Sequence, residues 1–419
     1  MDCDKSQAIT SWMESWTACG AHPGIAAGIW KKGKSVFNHY SNHHGSTDIS
    51  DNTIYRIYSM TKPVTIVGIM MLVDKGLIAV DDPVSNFIPE FGSSTVFREG
   101  TVEDPIVEPL ARPITIKDLM MHRTGITYGI FGNSVCDQLL RKNCPDAANW
   151  FRNTPLKELC EAVAKTPMLF QPGTKWHYGL NIDILGHVIE VVSGKTLDVY
   201  FRENIFEPLG MRDTAFCVTG DDKHRLAPVY QVAPGQSFTD VSAQPEKNRV
   251  DMPDMLSGGG GLVSSMADYA IFCNMLLNLG AYTRVAVADT AAGEVVLGGS
   301  AQLLRRELVL EMSANHLEDD GELTDHAFDA SFSESIGAGV GFGYGVYVIV
   351  RPEVARGAKY SSKGEFGWGG VASTFFSINP AQQMFCILLT QLIPSTHYPI
   401  RTQFRYLAYW ACQEEKETK

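Results

Sequence analysis

No apolar run among the 419 residues reaches the ~18–20 residues that a membrane-spanning helix needs. The start, Met1-Asp2-Cys3-Asp4-Lys5, has neither the basic residues nor the apolar core of a secretory leader. These absences lead to the expectation of a soluble, cytoplasmic protein. Positive charge is short as well. The 35 Lys and Arg stand against 47 Asp and Glu, a net charge of −12. A nucleic-acid partner calls for the opposite, a basic face, so none is expected. No Cys-x-x-Cys pair occurs, and the nine cysteines are odd in number, which favours reduced thiols over a disulfide framework. Only Cys136 and Cys144 lie near each other in a loop-like stretch, and without further ligands they suggest no metal.

Familiar chemical signatures are missing too. There is no Gly-x-Ser-x-Gly elbow and no His-Glu-x-x-His pair, and the 11 histidines are scattered apart from His43-His44. Ser257-Gly258-Gly259-Gly260-Gly261 is followed by no Gly-Lys-Ser/Thr and shows no Gly-x-Gly-x-x-Gly order. It therefore reads as a tight backbone approach before a helix, with no nucleotide. No cofactor is expected, and nothing in the pattern speaks to oligomeric state.

What is present is a globular balance of 45% apolar and 20% charged residues, enough chain for one large or two ordinary domains. Residues 6–19 have helical spacing. Gly24 to Trp30 and Ser35 to Tyr40 read as strands of a hairpin around Lys31-Lys32-Gly33-Lys34. Pro63 to Val73 is apolar almost all round, which marks a central helix. Pro63 is tolerated only in a first turn, so that helix is expected to begin near Ser59 or Met60. Residues 81–113 are rich in Pro, Asp and Glu, with a turn at Asp81-Asp82-Pro83 and a loop over Gly100 to Pro113. A short helix is expected over Thr115 to His122, with Thr115 as its cap. Residues 126–150 read as a long irregular insertion of the kind that forms lids or binding loops. Helices follow over Leu156 to Ala164, Asn181 to Val192, Thr196 to Phe206, Ala267 to Leu277 and Leu303 to Met312. Residues 284–299 read as an insertion. Tyr344 to Val350, Ser373 to Ile378 and Met384 to Thr390 read as an antiparallel sheet, and 397–411 as a last amphipathic helix. The fold class is α+β: an antiparallel sheet flanked by helices and built from both chain ends. The expected domains are 1–81 with 251–419, and a mainly helical 82–250, with an active site in the cleft between them.

Ser59-Met60-Thr61-Lys62 places a hydroxyl and an amine on one face of a helix start. A serine is a weak nucleophile at neutral pH and needs a base. Tyr178 serves only as a phenolate, which positive charge from Lys62 would sustain, since free tyrosine titrates near pH ~10. The run Gly364-Glu365-Phe366-Gly367-Trp368-Gly369-Gly370-Val371 leads toward a strand. The Val371 N–H there, with that of Ser59, would make an oxyanion hole. Plainer readings stand beside these: Ser59 as an N-cap, Tyr178 as a packed aromatic, the glycines as a turn or bulge.

Ordered motifs weigh against the plainer readings. Arg56-Ile57-Tyr58-Ser59-Met60-Thr61-Lys62-Pro63, Asp81-Asp82-Pro83-Val84, Ile116 to Gly125, Phe206-Glu207-Pro208-Leu209-Gly210-Met211 and Gly258 to Ser265 follow one another as in a known family. The chain resembles the serine β-lactamase-like superfamily of class C β-lactamases, D-Ala-D-Ala carboxypeptidases and family VIII carboxylesterases, over about residues 20 to 390. The resemblance implies that Ser59 is acylated, that Lys62 shares its proton, and that Tyr178 belongs to the second motif; Tyr178 is read as the base, with Lys62, whose charge burial would disfavour, as the alternative. Two departures matter. The β-lactamase Tyr-x-Asn becomes Tyr178-Gly179-Leu180, so Asn181 falls one residue late and is expected to cap its helix. The Lys-Thr-Gly motif becomes Trp368-Gly369-Gly370, as in the esterases, which removes a cationic anchor and leaves an aromatic wall for substrate. The implied activity is hydrolysis of neutral carboxylic esters through an acyl-enzyme, with a small-molecule ester or acyl donor as partner. Acyl transfer is the alternative. β-Lactamase or D-Ala-D-Ala peptidase activity, or an inactive scaffold, ranks lower.

Overall fold

The computed structural model describes residues 3–46, 48–287, 295–328 and 337–413. Seven antiparallel strands form the main sheet, in the order Val340–Phe342, Tyr347–Ile349, Phe366–Gly369, Phe375–Asn379, Met384–Leu389, Gly24–Lys31 and Lys34–Asn42. Both chain ends thus supply the sheet, as the strands read at the two ends of the sequence predict. The first hairpin turns at Lys32 and Gly33, both with positive φ (51° and 73°), the turn whose twist suits two antiparallel strands.

Side chains alternate across a strand, and helices cover both faces. On one face Tyr269 of the Met266–Leu277 helix packs its ring centroid 5.3 Å from that of Phe376. On the other, the hydroxyls of Ser377 and of Tyr409 in the Ile400–Ala411 helix lie 2.9 Å apart. The Cys3–Ala18 helix packs beside the Ile400–Ala411 helix, where Trp12 and Trp16 share the amide oxygen of Gln403.

The Lys62–Asp74 helix is buried from Lys62 through Leu72, which explains its all-round apolar sequence. It begins later than expected. Tyr58–Thr61 forms a tighter 3-10 turn ahead of it, and Thr61 takes the capping position without a side-chain hydrogen bond. Ser59 is therefore not an N-cap. Pro63 sits in the first turn, where its missing N–H costs nothing.

Several segments differ from their sequence reading. Thr95–Gly100 and Pro105–Pro109 pair as an antiparallel ribbon, the second strand inside the stretch read as loop. The supposed irregular insertion contains a helix, Val135–Asn143, opened by a reciprocal cap between Ser134 and Asp137. The helix expected over 196–206 runs as Leu197–Phe201 and continues as a wider π-turn, Arg202–Phe206. Leu303 to Leu304 precede the Arg306–Met312 helix. Ala281–Val287 and Val295–Gln302 pair antiparallel, and residues 288–294 of that expected insertion lie outside the described residues. No helix among the described residues is long and apolar enough to cross a membrane. Cys136 and Cys144 are both buried, burial pushes the Cys136 thiol up to about 12, and no trio of His, Cys, Asp or Glu among the described residues is placed to hold a metal.

Candidate active site

The turn that carries Ser59 is fastened from three sides. Ile54–Arg56 pairs antiparallel with Val263–Ser265, which draws the turn against the glycine run. The Leu262 N–H donates to Thr61 Oγ1 at 3.1 Å, and Thr65 Oγ1 donates to the Gly258 carbonyl at 2.7 Å. Tyr269 donates its hydroxyl to the Met60 carbonyl at 2.9 Å. Tyr58 is held at φ 44°, a left-handed conformation uncommon for an aromatic residue.

The glycine run is small because the backbone is crowded. A Cβ on Gly258 would lie 2.9 Å from the Ile182 carbonyl oxygen, and one on Gly259 2.6 Å from the Asp183 carboxylate. The tight-approach reading of these glycines thus has a direct cause.

Lys62 follows Ser59 by one helical turn and is fully buried. Its Nζ donates to Ser59 Oγ at 3.2 Å, to the Tyr128 hydroxyl at 3.0 Å and to the Gly259 carbonyl at 2.7 Å. It also lies 4.5 Å from the centroid of the Tyr178 ring, a cation–π distance. Tyr178 donates its hydroxyl to Ser59 Oγ at 2.9 Å and receives the Trp368 indole N–H at 3.4 Å. Ser59, Lys62 and Tyr178, which are 119 residues apart at the extremes, thus meet around one oxygen atom.

Sequence reasoning missed two members of this cluster. Tyr128 touches Lys62, and burial together with Tyr178 and Asp183 pushes its phenol well above the usual range, so it stays protonated. Asp183 is buried, and burial raises its carboxyl. It accepts from Ser257 Oγ at 2.5 Å and from the Gly259 N–H at 3.0 Å. Neither residue stands in a motif, and a single loop tyrosine carries no mark of its partner.

Asn181 is a correction. It does not cap its helix; Leu180 holds the capping position, and Asn181 is the first helical residue. Its side chain instead reaches His122, with Nδ2 at 2.9 Å from the ring Nδ1. His122 packs 4.8 Å from Tyr178, centroid to centroid. Burial and the Lys62 charge hold His122 well below its usual pKa, so the ring is neutral and Nδ1 is free to accept. Gly179 lets this segment pass: a Cβ there would lie 1.9 Å from the Ile126 carbonyl oxygen.

Val371 and Ser59 border one cavity, with about 780 Å³ of empty space including its open mouth. Among the described residues the Val371 N–H has no hydrogen-bond acceptor. Gly370 brings it close: a Cβ there would lie 2.5 Å from the Ile57 carbonyl oxygen and 3.1 Å from Tyr58 Cβ. Arg401 donates to the Gly370 carbonyl. Trp368, Gly369 and Gly370 are not among the residues bordering this cavity, and Trp368 reaches the site through its indole N–H on the Tyr178 hydroxyl. Trp368 is buried behind Tyr178, and the aromatic wall is made by Tyr128, Phe131, Trp150 and Phe151, the latter two at positive φ (53° and 59°). The 126–150 stretch thus does border the cavity. A serine oxygen between a buried amine and a phenol, next to an unpaired N–H at a largely apolar cavity, can form and stabilise an acyl adduct.

The family model described as Beta-lactamase matches residues 12–408. Protein Rv1367c of Mycobacterium tuberculosis is 28% identical over 384 residues, covering 90% of this chain and 87% of its own. Esterase EstB of Burkholderia gladioli is 28% identical over 345 residues, covering 81% and 78%. Among solved structures, EstCE1, titled a hydrolase with promiscuous acyltransferase activity, superimposes with a TM-score of 0.72 at 21% identity over 97% of this chain and 98% of its own.

Proposed function

The chain belongs to the Beta-lactamase family, and from that premise we propose that it is a serine hydrolase that cleaves carboxylic esters through an acyl-enzyme on Ser59. The observation that carries the reading is the meeting of Tyr178 OH, Lys62 Nζ and Ser59 Oγ within 3.2 Å. In the proposed reaction Tyr178, beside Lys62 Nζ, takes the Ser59 proton as general base. Ser59 Oγ bonds to the ester carbonyl carbon, and the oxyanion rests on the N–H groups of Ser59 and Val371. The carbon–alkoxy bond breaks, and the alcohol leaves with the proton from Tyr178. Water then repeats the sequence and releases the acid, restoring Ser59. Tyr128 accepts the hydrogen bond from Lys62 Nζ throughout. The proposed division into 1–81 with 251–419 and 82–250 puts Ser59, Lys62 and Val371 in one unit and Tyr178 in the other, so the reaction lies at their cleft.

The relative named esterase supports hydrolysis, and the EstCE1 title gives acyl transfer as the second reading. Both share the acyl-enzyme. Turnover of p-nitrophenyl esters of graded chain length, absent in Ser59→Ala, tests the reading. Partitioning of product toward an added alcohol, far beyond its molarity relative to water, would mark a transferase.

A further inference from the structure

Position 368 carries no cation, and two arginines from other parts of the chain border the cavity. Arg249 lines the same cavity as Ser59, with Arg152 and Tyr58 beside it. Arg249 is held by neutral groups: its Nη1 donates to the Asn248 carbonyl at 2.8 Å and to the Glu246 carbonyl at 3.3 Å. Its Nε is buried and has no hydrogen-bond partner among the described residues, and the same holds for the Tyr58 hydroxyl. Arg152 is likewise tied to carbonyls, of Asn248 and Asp251, both at 2.9 Å. Arg56 donates to the Lys247 and Ala227 carbonyls at 2.7 Å. Among the described residues none of these three arginines is ion-paired with a carboxylate. Glu246 also lines the cavity, and it faces Lys247 at 3.4 Å.

Three guanidiniums whose hydrogen bonds go to carbonyls and which, among the described residues, are ion-paired with no carboxylate, in a chain of net charge −12, are a concentration that solubility does not explain. Burial and the neighbouring arginines pull the Arg249 guanidinium down to about 10, as expected of a cation lacking an anion. A carboxylate in the cavity supplies that anion and matches the fork of the guanidinium.

We propose that the ester cleaved at Ser59 carries a carboxylate, seated on Arg249 and the Tyr58 hydroxyl with Arg152 alongside. This rests on the ester reading above and changes its substrate class from neutral esters to carboxylate-bearing ones. It needs no cation at Trp368, because Arg249 enters from the segment that follows Pro245.

The test compares p-nitrophenyl hemisuccinate, hemiglutarate and hemiadipate with the neutral butyrate, valerate and caproate esters. The expected result is a kcat/KM ratio of at least about 10-fold in favour of one carboxylate ester, the worth of one charge-assisted hydrogen bond. The preferred chain length reports the reach from Ser59 to Arg249. The ratio collapses toward one in Arg249→Gln and is partly kept in Arg249→Lys, which also serves if the glutamine variant does not fold. Equal or better turnover of the neutral esters overturns this inference and leaves the ester reading standing. Calorimetric titration of monomethyl glutarate into Ser59→Ala, with and without Arg249→Gln, separates the two ideas. Arg249-dependent binding without turnover of any ester keeps the carboxylate site and removes the ester reading. Neither binding nor turnover removes both.

Discussion

The Tyr178 hydroxyl lies 2.9 Å from Ser59 Oγ, while the neighbouring Tyr128 reaches Lys62 at 3.0 Å. Two tyrosines border one amine, and Tyr178 is hydrogen-bonded to the serine. Burial pushes the Tyr128 phenol well above its usual range, and in the proposed reaction Tyr178 is the base. Tyr178→Phe is expected to lower kcat/KM for a p-nitrophenyl ester by about 10²–10⁴, the usual worth of a general base. Tyr128→Phe loses one hydrogen bond to Lys62 and is expected to cost about 10-fold or less. Steady-state kinetics of the two variants check this. The reverse order would assign the proton transfer to Tyr128, and near-normal turnover of Tyr178→Phe would assign it to Lys62.

Arg401 donates to the Gly370 carbonyl, and that carbonyl shares a peptide plane with the Val371 N–H. In a trans peptide the two point opposite ways, so fixing one aims the other. Arg401→Met is expected to lower kcat by about 10-fold or more with little change in KM, since one oxyanion donor is worth about 10²–10³ when lost outright. Gly370→Ala is expected to act in the same direction, because its Cβ would meet the Ile57 carbonyl at 2.5 Å. A rise in KM at constant kcat for either variant would place the effect in binding instead.

Lys62 and Asp183 are joined through one peptide unit on each side of Gly259: the carbonyl accepts from Lys62 and the N–H donates to Asp183. Asp183→Ala leaves a buried N–H and the Ser257 hydroxyl without their acceptor. The expected cost is about 1–3 kcal/mol in stability. Urea unfolding measures it, and Asp183→Asn, which keeps an acceptor oxygen, is expected to recover much of it.

Asp268 gives a pH dependence with a definite sign. Burial raises its carboxyl from 3.8 to about 6, against the pull of hydrogen bonds from Thr214 and the Asp213 N–H. The folded state binds this proton more tightly than the unfolded chain. The group's contribution is therefore greatest below pH 3.8 and falls as pH rises through about 6, by about 3 kcal/mol in all. Asp268→Asn is expected to remove that slope. Urea melts of both proteins between pH 4 and 7 check it, and parallel curves would show that Asp268 titrates normally.

Local rules made the scaffold readable. Lys31 to Lys34 reads as a turn because Gly33 permits positive φ, and the Lys62–Asp74 helix reads as central because it is apolar on every side. Ser59 and Lys62 share one helical turn, so their pairing is a matter of spacing. What escaped is long-range or backbone-determined. Tyr128 meets Lys62 across 66 residues with no periodicity to announce it. Trp150 and Phe151 enter the cavity wall through consecutive left-handed residues, which no propensity of bulky aromatics suggests. Asn181 stands one position beyond the motif it resembles, and that step turns it from the cavity to His122. The Val135–Asn143 helix was within reach of a closer reading, since Ser134 and Asp137 have the spacing of a reciprocal cap.

The central claim is that Ser59 is the acylated atom's owner. The most direct measurement mixes the protein with a p-nitrophenyl ester, quenches in acid within the first turnover and maps the peptides by mass spectrometry. One acyl group on the peptide that carries Ser59, absent in Ser59→Ala and accumulating in proportion to the burst of nitrophenol, is the expected result. Turnover with no acylated peptide, or an acyl group that persists in Ser59→Ala, would contradict it.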